Sequence, residues 1–231
     1  MITIRPKTAS AIENNARELQ TELWDQQCKY WPGQSVVHLD MCDPWIAAKH
    51  LGFEVQEGWV TSPGTRPGFQ LGGFLDRPAK LIGISDQQIP RTQRFTLAHE
   101  VGHLRLHPGL HHYRELPLRG LTEPNVRAER VELEANEFAG CFLVQRKHLC
   151  RAFVAAFGVE QLALTDDVAY ELLGSSFMAL MNSSYDSLAF ERNVATALRF
   201  RGRQFDSLNN LFDVSPTTLA IRLRECGLTL R

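Results

Sequence analysis

Residues 99–103 read His-Glu-Val-Gly-His. On a helix, residues four apart lie one above the other, so His99 and His103 can direct both imidazoles at one Zn²⁺. Glu100 is turned by about 100° from His99 and stands beside such an ion rather than on it. There its carboxylate can take a proton from an attacking water, the general-base role of a zinc hydrolase. A catalytic zinc also needs a third protein ligand and one open position. Glu132 offers that ligand from a second helical stretch, where Glu132 and Asn136 form one strip at i and i+4. Asn136 then reads as a residue that holds a ligand imidazole from behind. Glu129, one turn earlier on the strip, is the runner-up ligand, and Glu134 points to another side. The expected cofactor is one Zn²⁺ per chain. Without the two histidines the three carboxylates would read as a solvated face, and without the carboxylates the histidines could be satisfied core residues.

The elements that must position these groups follow from periodicity. Residues 8–28 read as an amphipathic helix with Ile12, Ala16, Leu19 and Leu23 on one face. Asp43-Pro44 gives an N-cap and a first-turn proline for a short helix that Gly52 closes. Residues 53–60 read as a strand and 62–68 as a loop. Residues 69–76 and 79–85 read as two further strands in a hairpin. After Pro90 the period turns helical. Phe95, Leu97, Ala98, Val101 and Leu104 make that helix apolar nearly all round, which predicts burial. Gly102 is poor in a helix interior by about 1 kcal/mol and predicts something packed close against it. Residues 107–124 read as a long loop. A second long helix over about 125–145 carries Val131, Ala135, Phe138 and Phe142 as its core face. Beyond about 150 the chain reads as helices only. The expected fold class is α+β: a small mixed sheet with the two site-bearing helices over residues 1–150, then an all-helical region over 151–231.

The 231 residues are 44% apolar and 22% charged, an ordinary globular composition. A net charge of -1 provides no overall basic field, so any nucleic-acid contact must be local. The opening segment has no apolar core and no apolar run approaches 18 residues, so neither a signal peptide nor a membrane contact is expected. Five cysteines without a Cys-x-x-Cys pair read as reduced thiols of a cytoplasmic protein. His107, His111, His112 and Tyr113, in the loop after the zinc helix, are candidates to steady an oxyanion. Residues 204–228 read as helix, turn, helix with Ser215-Pro216 as cap and first residue. Residues 190–231 hold seven arginines against four acids. Arg199, Arg201 and Arg203 are therefore candidate nucleic-acid contacts, although apolar Leu219, Ile221 and Leu223 favour packing for the last helix.

Two stretches, RFTLAHEVGHLRLH (94–107) and ELEANEFAGCFLV (132–144), together resemble the ImmA/IrrE metallopeptidases. The segment from Asp43 to Val55 resembles the entry segment of that family, and residues 209–228 resemble its carboxyl end. The resemblance is strong over about 40–145 and moderate over 205–230. It implies a zincin-like fold with zinc held in the gluzincin manner, and cleavage of a helix-turn-helix transcriptional repressor. Such cleavage releases a stress, mobile-element or anti-phage operon. Relatives often carry a fused DNA-binding domain ahead of the peptidase. Only about forty residues stand there in this sequence, so the expected repressor is a separate protein. Peptide is expected to lie along an edge strand of the 53–85 sheet. Single-stranded DNA is an expected trigger, given the arginine-rich end. A reading of another class is a zinc-containing regulator without proteolysis, which binds DNA or a partner. An always-active repressor protease would defeat regulation, so a lock is expected. Cys42, before the Asp43-Pro44 helix start, is the candidate thiolate to fill the fourth zinc position.

Overall fold

The computed structural model describes residues 8–58, 72–109, 112–114 and 126–231, with side chains throughout except at 112–114 and 126–129. The chain divides into two compact units, Met1–Leu143 and Val144–Arg231.

In the first unit, helix α1 (Ala9–Asp25) starts at Thr8, whose hydroxyl accepts from the Ala11 amide, and buries Ile12, Ala16, Leu19 and Leu23. The amphipathic period breaks at Gln26, and one separate turn, α2 (Gln27–Tyr30), follows. Helix α3 (Pro44–His50) is capped by Asp43, which accepts from Trp45 and Ile46 amides. Three strands come next: β1 (Glu54–Glu57), β2 (Gly73–Asp76) and β3 (Leu81–Ile84). The expected hairpin is present, with β2 antiparallel to β3 and Asp76 opposite Leu81. Strand β1 pairs with β3 in parallel. The remaining predicted strand residues, 59–60 and 69–71, and the loop at 62–68 lie outside the described residues.

Helix α4 (Pro90–Leu106) carries the His-Glu-Val-Gly-His segment. Strand β4 (His112–Arg114) then pairs antiparallel with β2, which gives the sheet order β1-β3-β2-β4. This corrects the reading of 107–124 as loop throughout; three residues are too few to show a strand period. Helix α5 (Val126–Leu143) completes the unit. One face of α4 packs on β2 and β3 and another on α5, and α1 lies against α5. A helix between a sheet and a second helix has little face left for water. Residues 96–104 of α4 are accordingly all buried.

The second unit opens with α6 (Arg146–Phe157), β5 (Leu162–Ala163), α7 (Asp166–Leu173), α8 (Phe177–Met181) and α9 (Ala189–Thr196). It continues through β6 (Arg199–Phe200), β7 (Arg203–Gln204), α10 (Leu208–Leu211), α11 (Pro216–Glu225) and β8 (Thr229–Leu230). The region is therefore not all-helical. Strand β5 pairs in parallel with β8, and β6 with β7 antiparallel. The β6–β7 turn uses Arg201 and Gly202, both at positive φ (46° and 76°), which suits a tight hairpin. Ser215 caps α11 by accepting from the Thr218 amide, and Pro216 occupies the first turn. Before it, α10 is a single turn. Helix α11 packs on α9 and buries Leu219, Ala220 and Leu223, as expected of Leu219 and Leu223, whereas Ile221 is exposed. No described helix is long and apolar enough to cross a membrane.

Candidate metal centre

Helix α4 places His99 and His103 one turn apart, with ring centroids 4.5 Å apart and planes at 80°. Their Nε2 atoms converge to 2.9 Å. From α5, Glu132 brings Oε2 to 3.1 Å from His99 Nε2 and Oε1 to 3.5 Å from His103 Nε2. Gly102 makes this approach of α5 possible. A Cβ there would stand 3.1 Å from Phe138 Cδ1, 3.2 Å from Ala135 O and 3.3 Å from Ala135 Cα. The close packing expected at Gly102 is thus the contact between α4 and α5, the helices that carry the cluster.

These residues fit a zinc ion. Tetrahedral zinc with bonds of about 2.0–2.1 Å sets its ligand atoms roughly 3.3 Å apart, close to the three separations present. Glu132 Oε1 is buried and makes no hydrogen bond among the described residues. The His99 and His103 side chains are only 4% and 2% exposed, whereas that of Glu132 is 26% exposed, so the cluster opens towards solvent on the Glu132 side. The charge states suit a cation as well. Burial pushes the His103 imidazole down to about 4, against an opposing attraction to the Glu132 carboxylate, and so keeps the ring neutral. Burial raises the Glu132 carboxyl, but attraction to the His103 and His99 rings beside it outweighs that and brings the group to about 2.

Glu100 is 1% exposed on the same helix. Strand β2 passes close beneath it: a Cβ on Gly73 would lie 3.3 Å from Glu100 Oε1 and 2.7 Å from Thr96 Cγ2. The Arg77 guanidinium, lowered from its usual range by burial, is held back towards it by the Glu100 charge. Behind the ligands, Asn136 Oδ1 lies 2.9 Å from His99 Nδ1. An amide oxygen only accepts, so His99 donates from Nδ1 and keeps its Nε2 lone pair for the cluster.

Residues 67–163 match the peptidase family model described as the IrrE N-terminal-like domain. Over this segment the match supports the resemblance to the ImmA/IrrE family. The matched segment runs from before β2 to β5 and contains His99, Glu100, His103, Glu132 and Asn136. A comparison with curated proteins finds no significant match. Among solved structures, a Mycobacterium tuberculosis transcriptional regulator is similar at 15% identity and a TM-score of 0.43, over 92% of this chain and 46% of that one. The chain thus spans about half the length of that protein.

Other expected residues fall differently around the cluster. His107 is no solvent-facing loop donor. It ends α4, is 1% exposed, and faces His103 Nδ1 at 3.2 Å. Glu134 does point away from the cluster, but inwards to His107 at 3.1 Å rather than to water. Sequence reasoning missed this pair, although His99, His103 and His107 recur every fourth residue on one helix face. His111 lies outside the described residues, as do the side chains of His112, Tyr113 and Glu129.

Cys42 is not poised as a thiolate. It is 1% exposed at the end of a 3₁₀ turn (His38–Cys42), accepts from Gln20 Nε2 at 3.6 Å, and its thiol faces the His38 carbonyl at 3.9 Å. Burial pushes the thiol up to about 12, although the Arg94 guanidinium pulls the other way. Desolvation overrides the helix-start effect, and the ligand atoms that converge are those of His99, His103 and Glu132. Arg199, Arg201 and Arg203 are exposed on the β6–β7 hairpin of the second unit. The Arg201 guanidinium rests over Phe200, 5.3 Å from the ring centre.

Proposed function

We propose that this chain is a zinc-dependent endopeptidase that cleaves a separate helix-turn-helix transcriptional repressor and so releases a stress, mobile-element or anti-phage operon. The observation that carries the reading is the convergence of His99, His103 and Glu132 with Glu100 buried beside them on α4. Zinc held by the three ligands would keep an open position and polarise the scissile carbonyl as a Lewis acid. Glu100 takes a proton from the attacking water as its oxygen bonds to the carbonyl carbon. The same carboxyl then passes that proton to the departing amide nitrogen, which leaves as an amine opposite a new carboxylate. Asn136 holds the His99 ring, and the sheet edges, β1 and β4, offer main-chain groups to an extended peptide. A repressor substrate implies action in the cytoplasm. Three exposed arginines on one hairpin make Arg199, Arg201 and Arg203 the surface to test for a single-stranded DNA trigger.

The experiment is metal analysis followed by proteolysis. The purified chain should hold about one Zn²⁺, lost in His99→Ala, His103→Ala or Glu132→Ala. It should make one or a few cuts in a helix-turn-helix repressor and leave casein nearly intact. Zinc retained in all three variants, or indiscriminate digestion of casein, would overturn the proposal. Zinc bound with no cleavage of any repressor would favour the non-proteolytic regulator.

A further inference from the structure

Behind the cluster, three side chains stand in line. His103 Nδ1 lies 3.2 Å from His107 Nδ1, and His107 Nε2 lies 3.1 Å from Glu134 Oε2. His103, His107 and Glu134 are 1%, 1% and 5% exposed. His103 comes from the last turn of α4, His107 from the residue that caps its C-terminus, and Glu134 from α5. Arg77 donates to the carbonyls of His103 and His107 at 2.6 and 3.0 Å. That fixes the last turn of α4, where helix carbonyls lack partners of their own.

The order of donors along this line is determined. Two imidazole nitrogens share a hydrogen bond only when one carries a proton and the other does not. An ionised carboxylate only accepts, so His107 donates to Glu134 from Nε2 and is left with Nδ1 as acceptor. His103 must then donate from Nδ1, which leaves its Nε2 lone pair facing His99 and Glu132. We propose that Glu134 and His107 form a positioning relay that holds His103 in its Nδ1–H tautomer and sets Nε2 to grip the cation. This rests on the reading of His99, His103 and Glu132 as a zinc site. The two ligand rings are then backed unequally, His99 by a neutral amide and His103 by an imidazole–carboxylate pair that raises its basicity.

The test is zinc affinity of the full chain by chelator competition, with circular dichroism as a check on folding and proton NMR of the zinc-loaded protein. His107→Phe keeps the ring volume and removes the acceptor. It should weaken zinc binding by about 10–100-fold and abolish the downfield His103 Nδ1–H resonance. His107→Asn sacrifices volume but restores an acceptor near the Nδ1 position, and should recover most of the affinity. A space-filling role predicts the reverse order, with Phe better than Asn, and that order would overturn the relay. If His107→Phe does not fold, Glu134→Gln decides, because it changes charge and almost no volume. Its zinc affinity should fall, and an unchanged value refutes the relay. A wild-type chain that binds no zinc contradicts the zinc reading itself, a failure visible before any relay variant is made.

Discussion

Replacing Gly102 by alanine sets two effects of known sign against each other. Alanine in a helix interior gains about 1 kcal/mol over glycine. Against that, the new Cβ would meet Phe138 Cδ1 at 3.1 Å and Ala135 O and Cα at 3.2 and 3.3 Å. Phe138 and Ala135 are both 0% exposed, so the ring has no solvent to swing into and the backbone atoms move only with α5. Overpacking costs about 1–3 kcal/mol, and a site with so little freedom belongs in the upper part of that range. The net expectation is a loss of about 1–2 kcal/mol in urea unfolding. Zinc affinity should fall too, because α5 carries Glu132 one turn before the contact. A Gly102→Ala protein more stable than wild type by about 1 kcal/mol would show that helix propensity wins. The tight α4–α5 contact would then not be what selects glycine.

Three further outcomes follow from the same geometry. Gly73→Ala places a Cβ 2.7 Å from Thr96 Cγ2 and 3.3 Å from Glu100 Oε1. It should lose proteolysis while retaining zinc, since the ligands lie elsewhere; full activity would refute the role of β2 in seating Glu100. In metal-free protein, His103 at about 4 against an ordinary 6.5 means that the unfolded chain binds more protons between those values. Stability should therefore fall as pH drops through that window, and fall further from 4.5 towards about 2 as Glu132 protonates. Thermal melts in chelator should show both slopes, and a flat profile from pH 7 to 4 contradicts the buried neutral His103. Cys42→Ser should cost stability at a buried position yet leave zinc affinity unchanged. Cobalt-substituted wild type should show no sulfur charge-transfer band, and such a band would restore the cysteine lock.

The convergence of His99, His103 and Glu132 was legible in the sequence because the spacing is helical at both ends. His99 and His103 share one face of α4, and Glu132 and Asn136 share one strip of α5. The burial of α4 was equally legible, since apolar residues recur around its whole circumference. What escaped was short or distant. Strand β4 has three residues and the strands of the second unit two each, lengths at which alternation carries no signal. The His107–Glu134 contact joins residues 27 apart on different helices, and one sequence does not show which faces meet. The Cys42 expectation rests on position before a helix, which favours a low thiol pKa, while burial, a tertiary property, sets the opposite sign.

The central claim is that Glu100 is the base and not a ligand. Substitution Glu100→Gln removes the proton acceptor with almost no change in volume and touches none of the three converging ligand atoms. One preparation, assayed for bound zinc and for cleavage of helix-turn-helix repressors cut by wild type, tests it directly. The variant should hold about one zinc per chain and cut at least about 100-fold more slowly, the lower end of general-base contributions. A Glu100→Gln protein that binds zinc and still cuts at the wild-type rate would contradict it.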